Sequence, residues 1–266
     1  MPWPTLYANA ARWATRTDMA MDPAPRAPGA SVQADGQIKT LHLSTPVIQS
    51  SMWVLKPDAL DLEYTRLMMG FLLFHPAPAR IAMIGLGGGS LAKFCYRHLP
   101  KSVIDVAEIS AEVIALRNEF HIPPDNARLT IREMDGAQFV RNAVTRPDVL
   151  LVDAFDAEGV PPQLSSQDFY DNCRAMLAAD GVMVVNLHQQ DPELPALLRR
   201  IRRAFDDAVF DVVDDDGANC IVFARNGPPF RAPDSVVPRR PGQLDRDGWR
   251  QLMPAFAQIA AAMMAQ

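Results

Sequence analysis

With 266 residues, 48% of them apolar and 21% charged, the chain can bury a substantial core as one large unit, which excludes a disordered or fibrous protein. Its formal net charge of -5 provides no positive field, so a general attraction to nucleic-acid phosphates or anionic membranes is excluded and a small cationic amine is a suitable substrate. The cysteines Cys95, Cys173 and Cys220 are odd in number, far apart and in no metal-ligand spacing, so reduced thiols, no disulfide and no metal site are expected.

Residues 1–30 are rich in Ala and Pro and end in MDPAPRAPGA. Prolines remove backbone donors and fix φ, so this stretch reads as an irregular N-terminal arm. Its opening, MPWPTLYANA, has neither the basic nor the apolar region of a secretory signal. No run approaches the roughly 20 apolar residues of a membrane helix, so a cytoplasmic protein is expected. Between Ser31 and Val54, the runs IKTLHLS and VIQSSMWV, bounded by Asp35-Gly36 and Thr45-Pro46, predict a small antiparallel sheet. Leu60, Tyr64, Leu67, Met68 and Phe71 recur at helical spacing. They predict an amphipathic helix over 58–74, completing a small β region plus helix at 31–76.

From Arg80 onward, nearly all-apolar runs alternate with helical segments, the form of a parallel sheet covered on both faces. The pattern predicts an α/β, Rossmann-like catalytic domain over 77–266. Its seven strands are expected at 81–84, 103–108, 128–133, 149–152, 182–186, 209–213 and 220–223. Helices are expected near 90–98, 111–119, 137–143, 166–177 and 193–205, with a last one over 244–264.

The first of these strands runs into Gly85-Leu86-Gly87-Gly88-Gly89-Ser90 and then a helix. Glycines let a backbone turn sharply and approach a ligand whose polar groups meet free N–H donors at the helix start. The second strand ends at Glu108, where an acidic side chain can take both hydroxyls of a ribose. The third leads to Asp135-Gly136, whose carboxylate can face an adenine amino group. The fourth, VLLVDAFD, delivers Asp153 and Asp156 to the carboxyl edge of the sheet. Two carboxylates there can hold a cation and remove a proton. The basic run Arg199, Arg200, Arg202 and Arg203 reads as a solvated helix face.

In these motifs the chain resembles the spermidine synthases, the polyamine aminopropyltransferases, over about residues 38–225. DAFDAEGVPPQLSSQDFY, Asp153 to Tyr170, follows without a gap that family's D-S-S-D-P-x-G-P-A-x-x-L-F…Y-Y pattern. Val47 to Gln49, Tyr64, Glu108 in AEIS and Asp135-Gly136 match as well. The resemblance implies a seven-stranded sheet of the class I S-adenosylmethionine-dependent methyltransferase type, a homodimer and no metal. Gln49, Tyr64, Gly85, Gly87, Glu108, Asp135, Gly136 and Asp153 would contact decarboxylated S-adenosylmethionine. Asp153 would act as general base on the attacking amine, with Asp156 holding the diamine and Tyr64 beside it.

Three departures qualify what is implied. The family's glycine loop reads G-G-G-D-G, and its aspartate pairs with the amino end of the aminopropyl group; that position is Gly88 here. The family's Tyr-Gln or Tyr-His pair is Tyr64-Thr65. Its late P-T-Y-P-x-G loop reads VDDDG, which puts Asp214 where a substrate-binding tyrosine would be. A methyltransferase or other enzyme using intact S-adenosylmethionine therefore stands as an alternative, as does a nucleoside-binding protein without catalysis.

Overall fold

The computed structural model describes residues 29–43, 48–155, 159–232 and 239–265. Strands β1 (Ala30–Asp35), β2 (Ile38–Leu43) and β3 (Ile48–Trp53) form the expected small antiparallel sheet in the order β1-β2-β3. The helix expected over 58–74 is shorter. Helix α1 spans Glu63–Met68, and one turn of 3-10 helix, Met69–Leu73, continues it. Asp61 supplies the reason. Its carboxylate accepts hydrogen bonds from Ser51 Oγ and Trp53 Nε1, both at 2.6 Å, which holds the preceding segment against β3 instead of releasing it to a helix.

The main sheet is built from β4 (Arg80–Ile84), β5 (Val103–Glu108), β6 (Leu129–Glu133), β7 (Val149–Val152), β8 (Val182–His188), β9 (Val209–Val213) and β10 (Asn219–Arg225). Their order is β6-β5-β4-β7-β8-β10-β9. The connecting helices are α2 (Ser90–His98), α3 (Ala111–Ala115), α4 (Gly136–Arg141), α5 (Gln167–Met176) and α6 (Leu194–Ala204), and α7 (Arg246–Ala265) ends the described chain. The expectation of a parallel sheet needs one correction, because β10 runs antiparallel to both β8 and β9. Residues 214–218 between β9 and β10 are too few for a crossover helix, so the two strands can meet only as a hairpin.

Period-two alternation along the strands sorts the interior into two layers. Ile81, Met83, Val149, Leu151, Val182 and Val184 face one apolar cluster, together with Phe94, Phe71 and Phe256. Ala82, Ile84, Leu150, Val152, Met183 and Val185 face the other, under α5 and α6. Leu41 and Met52 of the small sheet join the first cluster. In that layer Phe223 stacks on Phe210 with ring centroids 4.7 Å apart, and the edge of Phe74 meets both.

All three cysteines are buried, Cys95 in the first layer and Cys173 and Cys220 in the second. Burial raises every thiol pKa, that of Cys220 to about 12. His98, 1% exposed at the end of α2, lies with Nδ1 2.9 Å from Asp245 and Nε2 3.5 Å from Asp58. Asp245 also accepts from Gly248 N at 2.7 Å, so a single carboxylate caps α7 and fastens it to α2. Asp245 lies 147 residues from His98 in the sequence; the pairing is a product of the fold.

Truncating Phe223, which is fully buried, removes the centre of the aromatic group. Phe223→Ala is expected to destabilise the protein by about 3–5 kcal/mol in urea unfolding.

Candidate active site

Strand β4 lies next to both β5 and β7, but the chain leaves it for β5 and β6 on one side before returning to β7 on the other. A crevice opens where that order reverses, at the carboxyl ends of the strands, and this is where open α/β sheets bind ligands. Gly85 stands at the mouth. Its φ is +91°, and a Cβ there would lie 2.0 Å from the carbonyl oxygen of Asp153. The loop after β4 can cross the end of β7 this closely only because residue 85 has no side chain.

The loop is held from the other side by Glu108, which is 8% exposed. One carboxylate oxygen of Glu108 accepts from Leu86 N and the other from Ser110 N, both at 2.8 Å. Each oxygen keeps a second lone pair, so the side chain is oriented and can still accept from a ligand hydroxyl. Asp135 caps α4 by accepting from Gln138 N at 2.8 Å through Oδ1.

A cavity of about 700 Å³ follows this edge. It is lined by Gln49, Tyr64, Gly85, Gly87, Glu108, Asp135, Gly136 and Asp153, together with Ser50, Ser90, Phe155, Asn186, His188 and Asn219 among others. The described lining carries three carboxylates and neither lysine nor arginine, a field that favours a cationic ligand. Among the described residues no group of three or more His, Cys, Asp or Glu side chains is placed to hold a metal ion, and no helix is long and apolar enough to cross a membrane.

At the end of β7, Asp153 Oδ2 accepts from the Tyr64 hydroxyl at 3.2 Å and Oδ1 from Asn186 Nδ2 at 3.0 Å. Burial raises the Asp153 pKa above the ordinary carboxylate value. The hydrogen bonds from Asn186 and Tyr64 and the charge of nearby His188 oppose that rise. Burial also raises the Tyr64 phenol, with the Asp153 charge and hydrogen bond adding to it, so Tyr64 serves the pair as a neutral hydrogen-bond donor. Beyond it, Phe155 stacks on His188 with centroids 4.1 Å apart and the rings nearly parallel.

Of the residues singled out in the sequence, Gln49, Tyr64, Gly85, Gly87, Glu108, Asp135, Gly136 and Asp153 therefore meet around one cavity. Asp156 lies outside the described residues. Asp214 does not reach the lining. It is buried in the β9–β10 turn, where its carboxylate accepts from Ala218 N, Asn219 N and Asn219 Nδ2 at 2.7–2.9 Å. That turn is tied to α1 by Asp215 N donating to Glu63, and it is Asn219 that stands on the cavity wall. Sequence reasoning missed Asn186, His188 and the two serines. Asn186 had a signal, a polar residue within the apolar run VMVVNLH at the carboxyl edge of a strand; Ser50 and Ser90 had none.

Residues 61–214 match the family model described as spermine/spermidine synthase domain. A polyamine aminopropyltransferase of Neisseria meningitidis serogroup A is 35% identical over 76% of this chain and 78% of its own. One from Chromobacterium violaceum is 34% identical over 82% of this chain and 84% of its own. The crystal structure of a probable spermidine synthase from Corynebacterium glutamicum shares the fold, with a TM-score of 0.68 at 21% identity over 88% of this chain and 91% of that one. With the family model covering more than half of its length and these relatives most of it, the chain belongs to the spermine/spermidine synthase family.

Proposed function

We propose that this chain transfers the aminopropyl group of decarboxylated S-adenosylmethionine to a small cationic amine, with Asp153 as general base. It is a transferase of the spermidine synthase family. The observation that carries the assignment of the base is the Asp153 carboxylate, held by Tyr64 and Asn186 beside the glycine loop.

The order of strands orients the donor. Asp135 follows β6, Glu108 ends β5, the glycine loop follows β4 and Asp153 follows β7, so a nucleoside laid along the edge meets them in that order. Asp135 takes the adenine, Glu108 the ribose hydroxyls, and the sulfonium lies over Gly85 and Gly87. An amine with a reference pKa near 10 arrives protonated and must lose that proton before it can attack carbon. Asp153 accepts the proton while Tyr64 and Asn186 keep its oxygens pointing at the nitrogen. The new C–N bond forms in line with the C–S bond that breaks, and the electron pair leaves with sulfur as neutral methylthioadenosine. The cavity contributes mainly proximity and alignment.

In the same reading Asp156 holds the far ammonium of a diamine, and Asp214 acts only through the turn that sets Asn219 in place. A homodimer and a cytoplasmic setting also belong to it; sedimentation measures the first.

The assay is methylthioadenosine release from decarboxylated S-adenosylmethionine with putrescine and a panel of other amines; no release with any of them would sink the proposal. Asp153→Asn is expected to lower kcat by about 10²–10⁴-fold while methylthioadenosine affinity changes far less. Glu108→Gln turns an NH2 donor toward the N–H of either Leu86 or Ser110 while its carbonyl oxygen still meets the other, and it should weaken methylthioadenosine binding by about tenfold or more in calorimetry. The base works ionised, so the rate falls as pH drops through the raised pKa of Asp153. Asn186→Ala deletes the hydrogen bond that lowers this pKa most. The acidic limb of kcat/KM should then move to higher pH, and a limb that stays or moves lower counts against Asp153 as base.

A further inference from the structure

In the reading above the donor's tail lies against the part of the cavity wall formed by Ser50 and Ser90, whose side chains are uncharged, and the backbone there is closely packed. A Cβ at Gly88 would meet Ser50 Oγ at 2.6 Å, Ser50 Cβ at 3.0 Å and Phe120 Cδ1 at 3.0 Å. The space above the loop is thus filled by the hydroxyl of Ser50, a β3 residue only 7% exposed. Ser50 Oγ lies 3.5 Å from Ser90 Oγ, which is 3.5 Å from Ser51 O. Both are long contacts that leave the hydroxyls free to turn toward a ligand. Gln49 completes this end of the lining. Among the described residues neither Ser50 nor Ser90 hydrogen-bonds to a carboxylate. Glu108 and Asp135 are assigned to the nucleoside in the reading above, and both oxygens of Asp153 are held by Tyr64 and Asn186.

Two hydroxyls and an amide can donate to an anion as readily as they accept from an ammonium. A carboxylate in that position would instead repel an α-carboxylate at close range. We propose that this end of the cavity accepts an amino-acid tail. S-Adenosylmethionine and S-adenosylhomocysteine, nucleosides that keep the α-carboxylate, then bind in the donor site and compete with the decarboxylated donor. The proposal rests on the donor-site assignment above and adds a ligand class to it: the protein binds the carboxylated nucleosides without transferring from them.

Calorimetry with S-adenosylhomocysteine, S-adenosylmethionine and methylthioadenosine tests it on the intact protein. Methylthioadenosine carries no tail charge and serves as the internal control. The carboxylated nucleosides should bind within about tenfold of the decarboxylated donor, and S-adenosylhomocysteine should inhibit aminopropyl transfer competitively with that donor. Dissociation constants more than about a hundredfold weaker would overturn the proposal.

Ser90→Asp puts a negative charge at the tail end and in the first turn of α2, where an acid is compatible with the helix. It should weaken S-adenosylhomocysteine by about tenfold or more and leave methylthioadenosine within about threefold. Equal losses for both nucleosides in Ser90→Asp and again in Ser50→Asp would show that neither serine faces the tail, which also overturns it. Methylthioadenosine binding and turnover without S-adenosylhomocysteine binding would end this proposal and leave the aminopropyltransferase reading intact. Failure to bind any of the nucleosides would end both.

Discussion

The carbonyl oxygen of Asp153 lies where a Cβ on residue 85 would have to be, and this contact sets the geometry of everything around it. Two parallel strands that are neighbours in the sheet release their chains at one point and in different directions, one into the glycine loop and one into the segment that carries Asp153 and Phe155. Any bulk at residue 85 would push the loop off the sheet edge. The amides gathered by Glu108 would then lose their register. Proximity contributes most when the reacting groups are held to within fractions of an ångström, and backbone against backbone is a stiffer way to hold them than side-chain packing.

Charge is distributed along this edge by the strand order. Carboxylates end or follow β5, β6 and β7, and each is oriented by hydrogen bonds from the chain itself: Glu108 by two amides, Asp135 by the first turn of α4, Asp153 by a phenol and a side-chain amide. Such groups need little reorganisation when a cation arrives, which is the condition under which fixed charges act most strongly in a partly dry site. Burial has a different consequence at each. Glu108 is kept in one rotamer by its two amide bonds, whereas at Asp153 burial raises the proton affinity above that of an exposed carboxylate.

Much of this was legible in the sequence because it depends on periodicity and on residues adjacent in the chain. The apolar runs from Ile81, Val103, Val149 and Val182 became central strands, with Gly85, Glu108, Asp135 and Asp153 at their carboxyl ends as expected. What escaped depends on contacts between segments far apart. The helix expected from Asp58 begins only at Glu63, because Asp61 is held by β3. The last strand turns antiparallel because its loop is short, a property of connection length that periodicity does not encode. Asp214 stands by resemblance at a tyrosine position, and its carboxylate accepts three hydrogen bonds within the turn it closes. Ser50 and Ser90 come from different sheets' surroundings and acquire meaning only where β3 lies over the glycine loop.

The buried cysteines carry a consequence of another kind. A thiol reacts with alkylating agents and oxidants as the thiolate, and all three are held with raised pKa values in the two apolar layers, Cys95 on one side of the sheet and Cys173 and Cys220 on the other. The folded protein is therefore chemically quiet toward such reagents, and modification proceeds only as fast as a layer opens. The molecule contains its own reporters of local unfolding, one on one face of the sheet and two on the other.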